Sequence, residues 1–235
     1  MCSVIKEKLT MTKRTRYIFS AVALLLCVCA LLCSCGKGNK FVMKDGMYVD
    51  KKTNVAYHDA PSCYEPLAIS DEKYGMCGEV ELFKIVGADP TKWLCEATGT
   101  VFYADGVTLP ALNEMNTSYA TLFYETETLA KITDASLIAA IAKAYVEGET
   151  LDKPSWSTSI YDVNWRIKFA DETIGICYIL AYFELNEDYI GIDETGTEIN
   201  YGRRFLYNRF EDKMVVVDDM LAPYVEAYKA ANGAN

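Results

Sequence analysis

Residues 18–32 form an uncharged apolar run of 15, preceded by Lys13, Arg14 and Arg16. A helix needs roughly 20 apolar residues to span a bilayer, so this run is short for a span and suits the apolar part of an export signal behind a basic start. The run divides the chain. Residues up to its end direct export, and only the later residues are available to fold.

The run closes on Leu32-Cys33-Ser34-Cys35. These residues resemble the lipobox of bacterial lipoproteins, in which a large aliphatic residue and two small ones precede an obligatory cysteine. The resemblance is confined to the N-terminal signal and concerns a processing route rather than a fold. It implies cleavage between Ser34 and Cys35, a diacylglyceryl group on the Cys35 thiol, and a protein held by lipid on the extracytoplasmic face of the cell membrane. Two acyl chains anchor durably where one does not. The opposing reading, an uncleaved span over 17–35, leaves the coincidence of charge, run length and box unexplained. Initiation at Met11 would leave a compact 24-residue signal, and Met11 is the expected start. Residues 36–40, GKGNK, then form a polar tether that reaches no further than about 20 Å.

Without residues 1–34 the chain keeps 201 residues, enough for a core that buries roughly 70% of the extended surface. The signal takes with it five basic residues (Lys6, Lys8, Lys13, Arg14, Arg16) and one acidic residue (Glu7), leaving 18 positive charges against 32 negative. Such a surface is a poor partner for nucleic acid or for anionic head groups in general. Of nine cysteines, only Cys63, Cys77, Cys95 and Cys177 remain as thiols in the folded part. They allow three pairings. Buried free thiols are the leading reading, most of all for Cys177 inside an apolar run, and Cys63 with Cys77, flanking a proline-rich stretch, is the pair expected if any disulfide forms.

Short apolar stretches punctuated by Asp-Gly turns give residues 41–126 a β pattern: 41–43, 47–49, 55–57, 79–86, 101–103, 107–109 and 119–124. Residues 60–71, broken by Pro61 and Pro66, read as an irregular connection. Asp89 and Pro90 suit the start of a helical turn carrying Trp93. A clear helix follows Asp134, with Leu137, Ile138, Ile141, Ala144 and Tyr145 on one face and Gly148 after its end. Residues 163–169 alternate as a half-buried strand, 174–185 read as a central strand covered on both faces, and 203–210 with 214–217 form a hairpin. Leu221, Tyr224, Val225 and Tyr228 mark a last helix capped by Asp218 or Asp219. The expected fold class is α+β: a mostly antiparallel β-sheet packed by two amphipathic helices, with a β-rich N-terminal half. The folded part is expected over 41–235, with a sub-boundary near 126.

Serine-hydrolase, zincin, P-loop and dinucleotide motifs are absent from the sequence. His58 is the single histidine, read as a solvated turn residue in preference to a catalytic base. The acidic loop 186–200 offers Asp188, Asp193, Glu194 and Glu198 as oxygen ligands for calcium, but Ile190 and Thr197 fall at liganding positions of an EF-hand register. A plain acidic hairpin connection is the alternative. Trp156, beside Pro154, is a candidate ligand-binding ring. No cofactor is implied. The expectation is a lipid-anchored, non-catalytic binding module for a protein partner or a cell-wall glycan. A surface hydrolase working through carboxylates in an aromatic cleft is the rival.

Overall fold

The computed structural model describes residues 38–151, 165–184, 190–192, 198–200, 204–217 and 219–232. Residues 39–235 form one compact unit. Its first part holds β1 (Asn39–Lys44), β2 (Met47–Asp50), β3 (Ala56–Asp59), β4 (Tyr64–Pro66), β5 (Ile69–Cys77), β6 (Val80–Ile85), β7 (Trp93–Glu96) and β8 (Val101–Ala104). A single 3-10 turn, Leu112–Glu114, precedes β9 (Tyr119–Tyr124), β10 (Glu127–Ile132) and α1 (Ala135–Glu147). The chain continues through β11 (Thr150–Leu151), β12 (Trp165–Asp171), β13 (Ile176–Glu184), β14 (Ile190–Ile192), β15 (Glu198–Asn200), β16 (Arg204–Asn208), β17 (Lys213–Val216) and α2 (Ala222–Asn232).

The fold is mostly β with two short helices, and its N-terminal half is β-rich as expected. That half does more than contribute strands to one sheet. Strands β1–β2–β3–β8–β7–β6–β5 close into a seven-stranded barrel, sealed where β1 runs parallel to β5 with Asn39 opposite Gly75 and Lys40 opposite Met76. Closure removes the sheet edges that would otherwise be open to pairing with another chain. Phe41, Tyr48, Tyr57, Leu82, Leu94, Phe102 and Ala104 fill the interior. Gly75 is needed at the seam, because a Cβ there would lie 2.5 Å from the Phe41 ring.

The second layer is a sheet in the order β10–β9–β12–β13–β16–β17–β11, with β4 also paired to β13. The alternation of β7 and β8 explains how barrel and sheet meet. Leu94, Phe102 and Ala104 point into the barrel, whereas Trp93, Cys95 and Val101 point outward into a core shared with Phe169, Tyr178, Ile138, Ile141 and Val225. Both faces of these strands are therefore largely covered. The chain passes from barrel to sheet between Ala104 and Tyr119, ahead of the sub-boundary expected near 126, and the shared core joins the two parts.

Local signals account for the helices. The Asp134 carboxylate accepts from the Ser136 and Leu137 amides at 2.8 and 3.2 Å and so starts α1. Ile138, Ile141, Ala142 and Tyr145 form its buried stripe. Gly148 ends α1 at φ −74°, so its place after the last turn does not depend on a left-handed conformation. Three expectations need correction. Residues 60–71 contain β4 and the start of β5, because Tyr64, Glu65 and Pro66 pair with β13. Asp89 does cap a turn, accepting from Thr91 N at 2.9 Å, but Trp93 opens β7. Residues 107–109 follow the Asp105-Gly106 turn without forming a strand.

The C-terminal helix is fastened by charge. Glu184 accepts hydrogen bonds from Tyr182 Oη (2.8 Å), Arg204 Nε (2.8 Å) and Lys229 Nζ (2.5 Å), and Arg204 also pairs with Asp219. Burial alone would raise the Glu184 pKa, but these donors outweigh it and hold the carboxyl below its ordinary 4.5. A depressed carboxylate stabilises the folded state above its unfolded pKa, and that contribution disappears as pH falls through the folded value. The wild type is therefore expected to lose stability on acidification below about pH 4.5. Chemical denaturation from pH 6 to pH 3 should show a shallower loss for Glu184→Gln. Equal slopes for the two proteins would remove Glu184 from this role.

Candidate functional site

Among the described residues lies a cleft of about 540 Å³, within the range of roughly 300–1,000 Å³ that ligand sites occupy. One wall is the extended segment from Ala60 to Ile69, held along β13 by backbone bonds from Leu67 N to Gly175 O and from Ile179 N to Cys63 O. The opposite wall is the turn joining β7 to β8, Ala97-Thr98-Gly99-Thr100, where Gly99 supplies φ +92°. Ala60 N bonded to Val101 O at 2.8 Å joins the walls, and buried Val101 lies between them. Gly175 lets the β12–β13 turn approach the barrel behind this wall. At φ +68°, a Cβ there would lie 2.5 Å from Val86 O.

The lining is small, aliphatic and hydroxylic. Ser62, Thr98 and Thr100 bring hydroxyls, and the two threonine oxygens lie 3.2 Å apart. Thr98 also donates to Glu96, which accepts from Tyr48 Oη at 2.8 Å and so connects the turn to the barrel interior. Tyr64 presents little ring surface: it is 8% exposed and its hydroxyl donates to Pro110 O at 2.7 Å. Glu65 is the one acidic residue in the lining, and Lys168 Nζ holds it at 2.7 Å. The cleft can receive an uncharged, extended chain. It lacks the facing carboxylates of a glycosidase and the open aromatic faces of a sugar platform.

Beneath the cleft wall lies a polar cluster with another role. Asn208 Nδ2 donates to Tyr178 Oη at 2.8 Å, and Tyr178 and Tyr145 donate to the two Glu211 oxygens at 3.3 and 2.7 Å. Asn208 Oδ1 accepts from the Phe210 and Glu211 amides, closing the β16–β17 turn. Burial raises the pKa of both phenols and of the Cys63 thiol beside them, which keeps all three protonated. This cluster pins a turn to the core and presents no activated nucleophile.

The residues singled out in the sequence are spread over the molecule. Cys63 and Cys77 are both free thiols, Cys63 in the shared core and Cys77 packed against the barrel interior, and no disulfide joins them. Burial pushes Cys95 up to about 11 and Cys177 up to about 12. His58 lies in β3 instead of a solvated turn. Its Nε2 is 2.6 Å from Asp105 Oδ1 and its ring stacks on Tyr103, a clasp between neighbouring strands. Ser34, Cys35, Trp156, Asp188, Asp193 and Glu194 lie outside the described residues, and Glu198 is placed only as the first residue of β15. Among the described residues no group of three or more potential ligands is arranged for a metal ion, and no helix is long and apolar enough to cross a membrane. The cleft residues Ser62, Glu65, Thr98 and Thr100 were not among the sequence candidates. The Thr-Gly-Thr turn was their one visible signal. No protein-family model, curated protein or solved structure matches this chain.

Proposed function

We propose that the protein is a lipid-anchored, non-catalytic binding module on the extracytoplasmic face of the cell membrane, and that its cleft receives an extended, uncharged segment of a protein partner. The location rests on Leu32-Cys33-Ser34-Cys35 behind the apolar run. The binding role is carried by the cleft lining: hydroxyls, small aliphatic side chains and a single carboxylate already neutralised by Lys168. In a chain this acidic, a neutral cleft selects against charged ligands of either sign. The sheet packed by the two helices is read as the body of the fold, with the barrel carrying one cleft wall. A glycan hydrolase would need two facing carboxylates about 5–9.5 Å apart, which this lining does not supply.

Ala97 is exposed on the β7–β8 turn, so Ala97→Trp fills the cleft without entering the core. A photoreactive residue replacing Thr98 in the membrane-attached protein should form adducts with protein, and Ala97→Trp should reduce their yield about tenfold, as expected when about 1.4 kcal/mol of binding is lost. Adducts unaffected by Ala97→Trp would remove the cleft as the site. Cosedimentation of the wild type with purified cell-wall sacculi, abolished by Ala97→Trp, would replace the protein partner with glycan.

A further inference from the structure

The barrel carries a second surface that the cleft does not use. Phe41 and Tyr48 point inward, so the alternation of β1 and β2 turns Lys40, Val42, Lys44, Met47 and Val49 outward. Register makes these one patch: Val42 faces Val49, Lys44 faces Met47, Lys40 faces Met76 of β5, and Lys51 N bonds to Lys40 O. Val42 and Met76 are each 37% exposed. The patch is an apolar stripe with a lysine at either end.

Its charge runs against the rest of the chain. Lys40, Lys44 and Lys51 are exposed and have no ion-pair partner among the described residues. The nearby acids are taken up or peripheral. Asp50 is buried and accepts from Asn39 and from Lys52 N, Glu81 pairs with Lys73, and Asp45 and Glu79 stand at the hairpin tips. The patch is also on β1 and β2, away from the outward faces of β6, β7 and β8 that enter the shared core. Lys40 is five residues from Cys35, no more than about 18 Å of extended chain.

We infer that the outward face of β1, β2 and β5 docks on the anionic leaflet to which Cys35 is tethered, lysines against head groups and Val42 and Met76 at the acyl boundary. This rests on the lipid-anchor reading and adds an orientation to it. The covalent anchor supplies the affinity, and each surface lysine adds a salt-screened attraction within a Debye length of the membrane. The opposite side of the barrel, with the sheet behind it, then faces away from the bilayer.

The test uses the full lipidated protein on vesicles of phosphatidylcholine alone or with one quarter phosphatidylglycerol, footprinted by lysine acetylation. On anionic vesicles the acetylation of Lys40, Lys44, Lys51 and the neighbouring exposed Lys52 should fall about tenfold relative to Lys143 on α1, and 0.5 M salt should restore it. Lys40→Glu, Lys44→Glu and Lys51→Glu together should remove the attraction, read as restored acetylation of Lys52 with the melting curve unchanged. Protein left in the supernatant would overturn the anchor reading. Protein on the vesicles with equal labelling on both lipids would overturn the docking while the anchor stands. Protection in detergent that grows with protein concentration would overturn it in favour of a second copy covering the face.

Discussion

Replacing Trp93 with alanine is expected to destabilise the barrel and the sheet together, by about 3–5 kcal/mol, and to lower the thermal midpoint by roughly 10 °C in one transition. Trp93 is 4% exposed on β7 and points out of the barrel, into the core that also holds Phe169, Tyr178 and Val225. Its neighbour Leu94, fully buried, points the other way and fills the barrel. One residue therefore joins two layers, and the cavity left by alanine lies where neither layer can close it alone. Leu94→Ala should cost about 2–5 kcal/mol in the same single transition. Calorimetry decides the matter. Two separated transitions, with Trp93→Ala moving only one of them, would mean that the barrel and the sheet fold independently.

Local signals were legible and closure was not. β9 spans Tyr119–Tyr124, the stretch read as a strand, and α1 begins directly after the Asp134 cap, because a short apolar run and a side-chain cap are properties of neighbours in sequence. The barrel depends instead on a parallel contact of two residue pairs between β1 and β5 and on a missing Cβ at Gly75. Nothing within five residues of Gly75 announces that Phe41 will lie against it. β4 was hidden for a related reason: Pro61 and Pro66 signal a break, yet β4 needs only one free edge, and Pro66 sits where its missing N–H is not needed for pairing with β13.

The cleft was illegible because its chemistry is ordinary. Ser62, Thr98 and Thr100 are common turn residues until the β13 pairing of one wall and the β7–β8 turn of the other bring them together. Chemical rarity is what stands out in a sequence, as a lone histidine, a loop tryptophan or clustered acids. Rarity led to His58, which the fold uses as a strand clasp with Asp105. The barrel's docking face was partly readable, since Lys40, Val42 and Lys44 alternate, but its sign mattered only once Asp50 and Glu81 proved to be occupied.

Changing Cys35 to alanine is expected to abolish lipid attachment completely, since the thiol is the sole acceptor of the diacylglyceryl group at a lipobox. In lipoproteins, cleavage comes after lipid transfer, so the variant would keep its signal and with it the apolar run 18–32. That run can hold an unprocessed precursor at the membrane, and fractionation alone would then report no change. Two measurements separate the cases. Metabolic labelling with palmitate should mark the wild type and leave Cys35→Ala unmarked. Intact mass should show the variant larger by its uncleaved signal, 24 residues if synthesis starts at Met11 and 34 if it starts at Met1. Each buried CH₂ contributes about 0.8 kcal/mol, so two chains make release from the bilayer negligible while a single chain binds only marginally. Palmitate label persisting on Cys35→Ala would show that another cysteine carries the lipid. Absence of label on the wild type, with the mass of the full precursor, would mean that residues 17–35 remain as an uncleaved span and that the domain is held by peptide instead of lipid.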